Sequence, residues 1–228
     1  MTSEDMKRAA AAAALAELPD SGVIGLGSGS TAAIFIELLS EKVRAGSRYI
    51  GVPTSQAARD HAAALGIPLL ADDGPWDIAV CVDGADEVGP RLDLIKGGGG
   101  AHTREKIVNA SARTNVIVVD GSKLSSRLGE RSAIPIEVLG FGHEATRHHL
   151  AALGTPRLRM RDGAPWRSDG GNLIYDLACG PIDAPGALER ALRGIPGVVE
   201  TGLFIGRADI VLVARESGVE RRTRVAAQ

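Results

Sequence analysis

Residues 23–31 read VIGLGSGST, a short apolar run that passes directly into a glycine-rich loop. The helical pattern that follows, at residues 31–44, places Ile34, Leu38 and Leu39 on one stripe. A buried strand, a glycine turn and a helix in this order are typical of parallel sheets that are covered by helices. We therefore expect residues 23–26 to be a buried strand, with the polar residues of the loop at its carboxyl end.

The alternation of short apolar runs and helical patterns continues through the first half of the chain. Further strands are predicted at residues 49–52, 78–82, 92–95 and 116–119, and helices at residues 55–65 and 103–113. Short apolar strands separated by helices indicate a parallel sheet with helices on both faces. The fold class of this part of the chain is therefore α/β.

The order of elements changes near residue 129. Strands are predicted at residues 134–138, 157–160, 172–178 and 198–204, with helices at residues 143–153 and 187–192. This strand-helix-strand-strand-helix-strand order is typical of a ferredoxin-like α+β domain. We expect a smaller domain at residues 129–205 and a larger one at residues 1–128 and 206–228, where a strand at 209–214 rejoins the first sheet. The arginine-rich residues 216–228 are expected to fray.

Composition excludes several classes of protein. Of the 228 residues, 44% are hydrophobic, which is too many for a disordered chain. Lys and Arg number 26 against 28 Asp and Glu, so there is no basic field of the kind that holds nucleic acid by its phosphates. The two cysteines, Cys81 and Cys179, fit small core residues in a reducing compartment.

One segment superficially resembles a secretory leader. An alanine-rich run at residues 9–16 follows two basic residues, but Glu4 and Asp5 precede it. The run is also far shorter than the ~20 apolar residues that cross a membrane. An amphipathic helix capped by Thr2 or Ser3 is the better interpretation, and we expect a cytoplasmic protein with no membrane attachment.

Polar or glycine-rich residues follow each predicted strand of the first half. The segments are GSGST at 27–31, PTS at 53–55, DGADE at 83–87, KGGGG at 96–100 and DGSK at 120–123. The carboxyl ends of parallel strands meet at one edge of a sheet, and ligands bind there in such folds. We therefore expect these five loops to line one crevice.

The loop at residues 27–31 is open to two interpretations. The third glycine of a dinucleotide fingerprint would fall on Ser30, and the lysine of a nucleotide phosphate loop is absent. The backbone N–H groups at the start of a helix suit a small anion such as a phosphate monoester. A plain tight turn, with Ser30 or Thr31 as the helix cap, fits the same residues.

Lys96 and the four glycines after it are a more specific signal. Between a strand and a helix, such glycines let a ligand approach the backbone, and the lysine supplies a charge for a phosphate or an oxyanion. A flexible linker is the alternative interpretation.

Asp83 and Asp86 suit the hydroxyls of a sugar, although an Asx turn or a magnesium site would use the same residues. Lys96 and Lys123 on neighbouring loops make a dication redundant for charge balance.

Glu105 and the histidines are less informative. From the residues alone, Glu105 is an ordinary acidic residue in the first turn of a helix, where the helix dipole stabilises it. None of the five histidines has metal-ligand spacing, and only His102 falls beside the predicted crevice.

Together, the motifs resemble those of ribose-5-phosphate isomerase of type A. They span nearly the whole chain in the order of that family. The matching segments are GLGSGST at 25–31, VDGADE at 82–87, KGGG at 96–99, TREK at 103–106, SK at 122–123, DGGN at 169–172, IPGVV at 195–199 and GLF at 202–204.

The resemblance implies a Rossmann-like domain and a smaller α+β domain. It also implies an enzyme of the pentose phosphate pathway that interconverts ribose 5-phosphate and ribulose 5-phosphate through an enediolate, without a metal or an organic cofactor. The implied partner is a phosphorylated pentose, and the implied assembly is a homo-oligomer, for which we favour a dimer.

The same resemblance assigns candidate roles to residues. Glu105 matches the proton acceptor of the family, Lys96 would hold the negative oxygen, and Asp83 would help to open the sugar ring. The ligand contacts of the family match Ser28, Gly29, Ser30, Thr31, Asp83, Gly84, Ala85, Asp86, Lys96, Gly97, Gly98, Gly99 and Lys123. Three residues depart from the usual pattern: Ser28 replaces a common threonine, His102 an apolar residue, and Gly100 an often larger one.

Two other classes of protein would use a similar chain. A non-catalytic sugar-phosphate sensor would have the same crevice, but it has no use for Glu105 beside a lysine. A related sugar-phosphate isomerase, a deaminase or a coenzyme A transferase would share a similar fold. A deaminase is expected to bring further carboxylates or a histidine pair, and a transferase an acyl-accepting glutamate.

Overall fold

The computed structural model of the chain describes residues 2–224, which divide into two compact units. Unit 1 comprises residues 2–85, 104–123 and 207–224 of the described chain, and unit 2 comprises residues 86–103 and 124–206. The units therefore differ from the predicted domains in two main segments, because residues 86–103 and 124–128 group with the smaller unit. Among the described residues, no helix has the length and apolar character that crossing a bilayer requires.

Six helices and fifteen strands make up the described chain. The helices are α1 (Ser3–Ala14), α2 (Ser30–Arg44), α3 (Gln56–Ala64), α4 (His102–Ala110), α5 (His143–Leu150) and α6 (Pro185–Arg193), with 3₁₀ turns at Leu15–Glu17 and Gly121–Lys123. The first eight strands are β1 (Gly22–Leu26), β2 (Tyr49–Pro53), β3 (Ile78–Asp83), β4 (Glu87–Val88), β5 (Leu94–Ile95), β6 (Ala112–Asp120), β7 (Ile134–Val138) and β8 (Thr155–Leu158). The others are β9 (Met160–Arg161), β10 (Ala164–Pro165), β11 (Leu173–Ala178), β12 (Val198–Thr201), β13 (Leu203–Phe204), β14 (Ile210–Arg215) and β15 (Gly218–Thr223).

Unit 1 is built on a six-stranded sheet with the order β15-β14-β6-β3-β1-β2. Five strands of this sheet, β1, β2, β3, β6 and β14, run parallel to one another. The sixth strand, β15, pairs antiparallel with β14. The predicted α/β class is confirmed, as is the return of the strand after residue 209 to the first sheet. Because β1, β2, β3 and β6 are parallel, the loops that follow them lie at one edge of this sheet.

The core of unit 1 follows from its strand sequences. Ile24 and Leu26 of β1 are completely buried and pack in one cluster with Phe35 and Leu39 of α2. Cys81 lies in a second cluster on this sheet, as expected of a small core residue. Strands that are apolar on both faces need helices on both faces, which explains the continuous apolar runs in the sequence.

The first helix begins as predicted. Thr2 caps α1: its hydroxyl accepts a hydrogen bond from the N–H of Asp5, and the Asp5 carboxylate accepts one from the N–H of Thr2. This reciprocal pair satisfies N–H groups that have no partner within the helix. Its buried alanines Ala10, Ala11 and Ala14 belong to the core of unit 1.

Unit 2 contains an antiparallel four-stranded sheet with the order β12-β7-β11-β8. Its strands and the helices α5 and α6 have the chain order β7-α5-β8-β11-α6-β12, which confirms the predicted ferredoxin-like α+β arrangement. Its core includes Ile136, Val138 and Tyr175 of the sheet together with Leu150 of α5 and Leu192 of α6.

The prediction was wrong for the segment before Lys96. The predicted strand at residues 92–95 is reduced to β5, which pairs antiparallel with β4 and β13 in a small sheet of unit 2. Of the five loops that were expected at one edge, the loop at 96–100 therefore does not follow a strand of the six-stranded sheet. The two residues of β5 are too few to show a hydrophobic period, so the sequence does not indicate which strands β5 pairs with.

Three other boundaries differ from the prediction. Helix α4 ends at Ala110 and β6 begins at Ala112, so part of the predicted helix is strand. The predicted strand at 198–204 is broken at Gly202, where an added Cβ would lie 2.2 Å from the Lys96 carbonyl oxygen. The prediction that the tail frays was wrong for residues 218–223, which form β15, and residues 225–228 lie outside the described residues.

Candidate functional site

The loop after β1 is fixed by Asp83, at the end of β3. The Oδ1 atom of Asp83 accepts hydrogen bonds from the N–H of Ser28 at 3.0 Å and from the N–H of Gly84 at 2.7 Å. Gly27 packs so closely here that an added Cβ would lie 2.3 Å from Oδ1 and 2.5 Å from the Cα atom of Asp83. Asp83 is only 3% exposed, so this carboxylate is a structural support of the loop and not a solvated side chain.

The Ser28 hydroxyl belongs to a chain of hydroxyl groups. Its Oγ lies 2.8 Å from Oγ1 of Thr54 and 2.8 Å from Oγ of Ser55, both of which follow β2. Ser55 also caps α3, because its Oγ accepts a hydrogen bond from the N–H of Ala58. Thr54 and Ser55 were visible in the sequence as residues at a strand end, but no pattern singled them out as supports of the first loop.

The start of α2 resolves one alternative for this loop. The helix begins at Ser30 and its N-cap is Gly29, at φ +91°, with no side-chain capping hydrogen bond. Neither Ser30 nor Thr31 is therefore the cap that the tight-turn interpretation required. Ser30 is exposed and Thr31 is half-buried, and both lie in the first turn of α2.

Lys123 lies at the same edge of the six-stranded sheet as the loop after β1. It ends the 3₁₀ turn at Gly121–Lys123, directly after β6, and is half-buried. The carboxylate of Asp120 accepts a hydrogen bond from the N–H of Ser122 at 2.8 Å and so shapes this turn. Within unit 1, the structure thus places Ser28, Asp83 and Lys123 after parallel strands of one sheet, as predicted.

Glu105 lies in the first turn of α4, as predicted, and its side chain is buried, with 5% of the residue exposed. A carboxylate at this position is favoured by the helix dipole. Burial of a carboxylate excludes water from it, which strengthens its interaction with a nearby charge. This burial distinguishes Glu105 from a solvated residue at a helix start.

In unit 2, Lys96 is also buried, with 3% of the residue exposed. Its backbone N–H donates to the carbonyl of Gly202, and its Nζ atom lies 5.6 Å from the ring centroid of Phe204. An ammonium group over an aromatic face is attracted by the negative face of the ring. Sequence reasoning did not assign a role to Phe204, although the residue belongs to one of the motifs quoted above.

The glycine run after Lys96 is tightly built at one end and open at the other. Gly97 has φ +101°, and an added Cβ would lie 2.7 Å from Nδ1 of the buried His102. The Gly98 N–H donates to Oδ2 of Asp86 at 2.7 Å. An added Cβ at Gly99 would meet nothing within 4 Å. The run is thus a fixed loop whose tip faces open space, which contradicts the linker interpretation.

The buried carboxylate of Glu137 in unit 2 holds Asn172 of the DGGN motif at residues 169–172. Glu137 of β7 is 2% exposed and accepts hydrogen bonds from Ser168 Oγ at 2.7 Å, Asn172 Nδ2 at 2.9 Å and Thr103 Oγ1 at 2.5 Å. Thr103 lies in the first turn of α4, two residues before Glu105. Sequence reasoning missed Glu137, although a charged residue in the apolar strand IPIEV was a visible signal.

Among residues 2–224, no group of three or more His, Cys, Asp or Glu side chains has an arrangement that could hold a metal ion. Gly84 and Ala85 link Asp83 to Asp86; Asp83 is buried, and the other three residues are half-buried.

Comparison with known proteins identifies the family. Residues 50–218 match the family described as ribose 5-phosphate isomerase A (phosphoriboisomerase A). The chain belongs to this ribose-5-phosphate isomerase A family. A relative of that name from Chloroflexus aurantiacus is 47% identical over 97% of this chain and 95% of its own length. The relative from Gloeobacter violaceus is 46% identical over 97% of both chains.

Solved structures agree with this assignment. A D-ribose-5-phosphate isomerase in complex with phospho-erythronic acid superposes with a TM-score of 0.94 at 43% identity, covering 98% of this chain and 100% of that chain. Ribose 5-phosphate isomerase A from Methanocaldococcus jannaschii gives a TM-score of 0.93 at 40% identity, covering 97% and 100%. The resemblance found in the sequence motifs is therefore confirmed.

Proposed function

We propose that the chain catalyses the reversible isomerisation of ribose 5-phosphate and ribulose 5-phosphate. The observation that carries this function is membership of the ribose-5-phosphate isomerase A family over nearly the whole chain. Two of the family motifs, GLGSGST at 25–31 and VDGADE at 82–87, continue from parallel strands into the loops at one sheet edge, where α/β folds bind ligands. The protein is accordingly an isomerase of a phosphorylated pentose.

The reaction moves one proton between C1 and C2 of the sugar through an enediolate. It needs a base that takes and returns the proton and a cation that stabilises the negative oxygen, and we assign these roles to Glu105 and Lys96. Their burial supports the assignment, because water exclusion strengthens electrostatic stabilisation. A positioned base is worth about 10²–10⁴-fold in rate, and one oxyanion partner is worth roughly 3 kcal/mol.

Asp83 is proposed to assist the opening of the furanose ring. Ring opening requires a proton to leave one hydroxyl and reach the ring oxygen, and a carboxylate is able to accept and return it. Two backbone N–H groups hold Oδ1 of Asp83, which fixes the orientation of the carboxylate. We expect Asp83→Asn to slow turnover of the cyclic substrate more than exchange on the open-chain form.

The remaining candidates are proposed to bind the sugar and its phosphate. Backbone N–H groups at the start of α2 and the charge of Lys123 suit a phosphate, and carboxylates suit sugar hydroxyls. The proposed binding residues are Ser28, Gly29, Ser30, Thr31, Gly84, Ala85, Asp86, Gly97, Gly98, Gly99 and Lys123.

The reaction is internally redox-neutral, because C1 and C2 exchange oxidation levels within one molecule. It therefore needs no external hydride acceptor, and we propose that the enzyme works without an organic cofactor or a metal. Prolonged chelation is expected to leave the rate unchanged. Loss of activity on chelation, with recovery on adding magnesium, would reject the metal-free proposal.

We further propose that the enzyme acts in the cytoplasm, in the pentose phosphate pathway, as a homodimer. Light scattering of the purified chain is expected to give twice the mass of one chain. A monomer or a tetramer would reject the dimer without affecting the proposed reaction.

The decisive assay adds ribose 5-phosphate to purified, metal-stripped protein and measures the ketopentose formed. The expected result is formation of ribulose 5-phosphate and the same equilibrium mixture from either sugar. Binding of ribose 5-phosphate without any ketopentose would instead identify a sugar-phosphate sensor. Because a solved relative binds phospho-erythronic acid, we also expect this phosphorylated acid to compete with the substrate.

A further inference from the structure

Arg159 of unit 2 is a long cationic side chain whose polar atoms all have partners inside the unit. It lies between β8 and β9, and its side chain is only 10% exposed. Its backbone is fixed as well, because its N–H donates to the Ile174 carbonyl and its carbonyl accepts from the N–H of Trp166. None of the sequence motifs includes this residue.

The guanidinium group divides its hydrogen bonds between a carboxylate and the glycine run. Nε donates to Oδ2 of Asp176 at 2.9 Å, and Nη2 donates to Oδ1 of the same carboxylate. This two-bond pair leaves Nη1, which donates to the carbonyl of Gly97 at 2.8 Å and to that of Gly98 at 3.1 Å. The face of the guanidinium also lies over Trp166, at 5.2 Å from the ring centroid.

These contacts determine the direction of the peptide groups in the glycine run. In a trans peptide, the carbonyl and the following N–H point to opposite sides. When the carbonyls of Gly97 and Gly98 turn toward Arg159, the N–H groups of Gly98 and Gly99 turn away from it. The Gly98 N–H accordingly reaches Oδ2 of Asp86. Glycine restricts its backbone least, so these contacts, together with the hydrogen bond from the Gly100 N–H to the Gly97 carbonyl at 2.9 Å, limit the conformations that the run samples.

We propose that Arg159 is a positioning residue for isomerisation, which holds the run at residues 97–99 in the conformation that binds substrate. Asp176 orients the guanidinium, and Arg159 in turn orients the two carbonyls. The inference rests on the proposed function, since it takes residues 97–99 as part of the substrate site. Lysine is a poor substitute here, because a single ammonium cannot pair with the carboxylate in two bonds and also reach two carbonyls.

Arg161 provides a matched control on the same strand region. Its guanidinium also lies 5.2 Å from the Trp166 centroid, but it is an exposed residue, and its position is two residues along the chain from Arg159. Removing Arg161 therefore removes one cation from the same ring without releasing the glycine run. Comparing the Arg159 and Arg161 variants therefore distinguishes the loss of loop orientation from the loss of a local charge and its stacking on Trp166.

The experiment measures kcat and KM for ribose 5-phosphate with Arg159→Ala, Arg159→Lys and Arg161→Ala, together with their melting temperatures. We expect Arg159→Ala to lower kcat/KM by about 100-fold, as misplacement by about 1 Å does in other sites, with a fall in kcat. Arg159→Lys is expected to remain at least about tenfold impaired. Arg161→Ala is expected to stay within about twofold of the unaltered enzyme. Adding guanidinium ion at a non-denaturing concentration should restore part of the activity of Arg159→Ala, because the ion fits between Asp176 and the two carbonyls.

Three results would overturn the inference: full activity of Arg159→Ala, equal losses in the Arg159 and Arg161 variants, or a loss in Arg159→Ala that guanidinium leaves unchanged. Should Arg159→Ala fail to fold, Asp176→Asn supplies the test, since it weakens the orientation of Arg159; an unaltered kcat/KM would then reject the positioning role. These outcomes differ from failure of the proposed function, in which the unaltered chain itself forms no ketopentose.

Discussion

The loop at residues 27–31 of unit 1 and the loop at residues 96–100 of unit 2 are both rich in glycine, but they are held differently. The first rests on the short side chains of Asp83, Thr54 and Ser55 at neighbouring strand ends. The second is clamped by the long side chain of Arg159 and by Asp86. Gly27 in the first loop and Gly97 in the second make room for protein atoms, those of Asp83 and His102, whereas an added Cβ at Gly29 or Gly99 would meet nothing within 4 Å. The two loops are therefore alike in how their glycines pack and differ in the side chains that hold them.

Removal of the Lys96 charge is expected to have the largest effect on activity. Lys96→Ala is expected to lower kcat by about 100-fold, because the loss of one oxyanion partner costs roughly 3 kcal/mol. Steady-state kinetics with ribose 5-phosphate checks this, and Lys123→Ala is the comparison on the unit 1 side, where we expect KM to rise. A Lys96 effect confined to KM would reassign Lys96 to simple binding.

The close packing of Gly27 gives the next largest effect. In Gly27→Ala, the new Cβ would overlap Asp83, so we expect the free energy of unfolding to fall by about 2–3 kcal/mol. The matched variant is Gly29→Ala, which meets no atom within 4 Å but has φ +91°, and we expect it to cost about 1–2 kcal/mol. Urea denaturation measures both. Equal stability of Gly27→Ala and the unaltered chain would show that the loop does not rest on Asp83 as described.

The second loop is tested by separating stability from activity. Gly97→Ala is expected to destabilise the protein by about 2 kcal/mol, because its φ is +101° and the Cβ would press on His102. Gly99→Ala is expected to leave the unfolding free energy within about 0.5 kcal/mol and to lower kcat/KM by about tenfold, because the substrate is proposed to approach the backbone there. Stability and kinetics measured on the same preparations check the pair. If Gly99→Ala is fully active, the open tip of the run does not contact the substrate.

The hydroxyl chain gives the smallest effect. Ser28→Ala removes a hydroxyl that lies 2.8 Å from both Thr54 and Ser55, and a typical hydrogen bond contributes about 1 kcal/mol. Ser55→Ala removes only the link to Ser28 and leaves the Ser28–Thr54 contact, but it also removes the cap of α3, so we expect it to cost at least as much as Ser28→Ala. Thermal or urea denaturation compares the two. A larger loss in Ser28→Ala than in Ser55→Ala would contradict the capping role.

The features that depend on a local residue pattern, such as strand positions and helix starts, were mostly predicted from the sequence. Strands such as β1 and β3 are continuous apolar runs between helices, so their positions and parallel class followed from periodicity. The loops after these strands followed from the same reasoning, as did the position of Glu105 at the start of a helix. The capping of α1 by Thr2 required only residues within three positions of each other.

Long-range pairing accounts for what the sequence did not predict. Strand β5 has two residues, and its partners β4 and β13 are themselves two residues long, so no period exists to detect. The arginine-rich strand β15 carries a polar pattern because it is an edge strand, and edges of sheets often carry charge. Arg159 reaches the Gly97 carbonyl across 62 positions of the chain, and Glu137 reaches Thr103 across 34, so only the fold brings them to these partners.

Glu105 is proposed to move the proton in the isomerisation of ribose 5-phosphate. The direct measurement incubates Glu105→Gln with ribose 5-phosphate in tritiated water and follows label entering C2, with binding of phospho-erythronic acid as the test of an intact site. We expect binding to be retained while exchange falls by at least about 100-fold. Exchange at the rate of the unaltered enzyme, with the site intact, would contradict it.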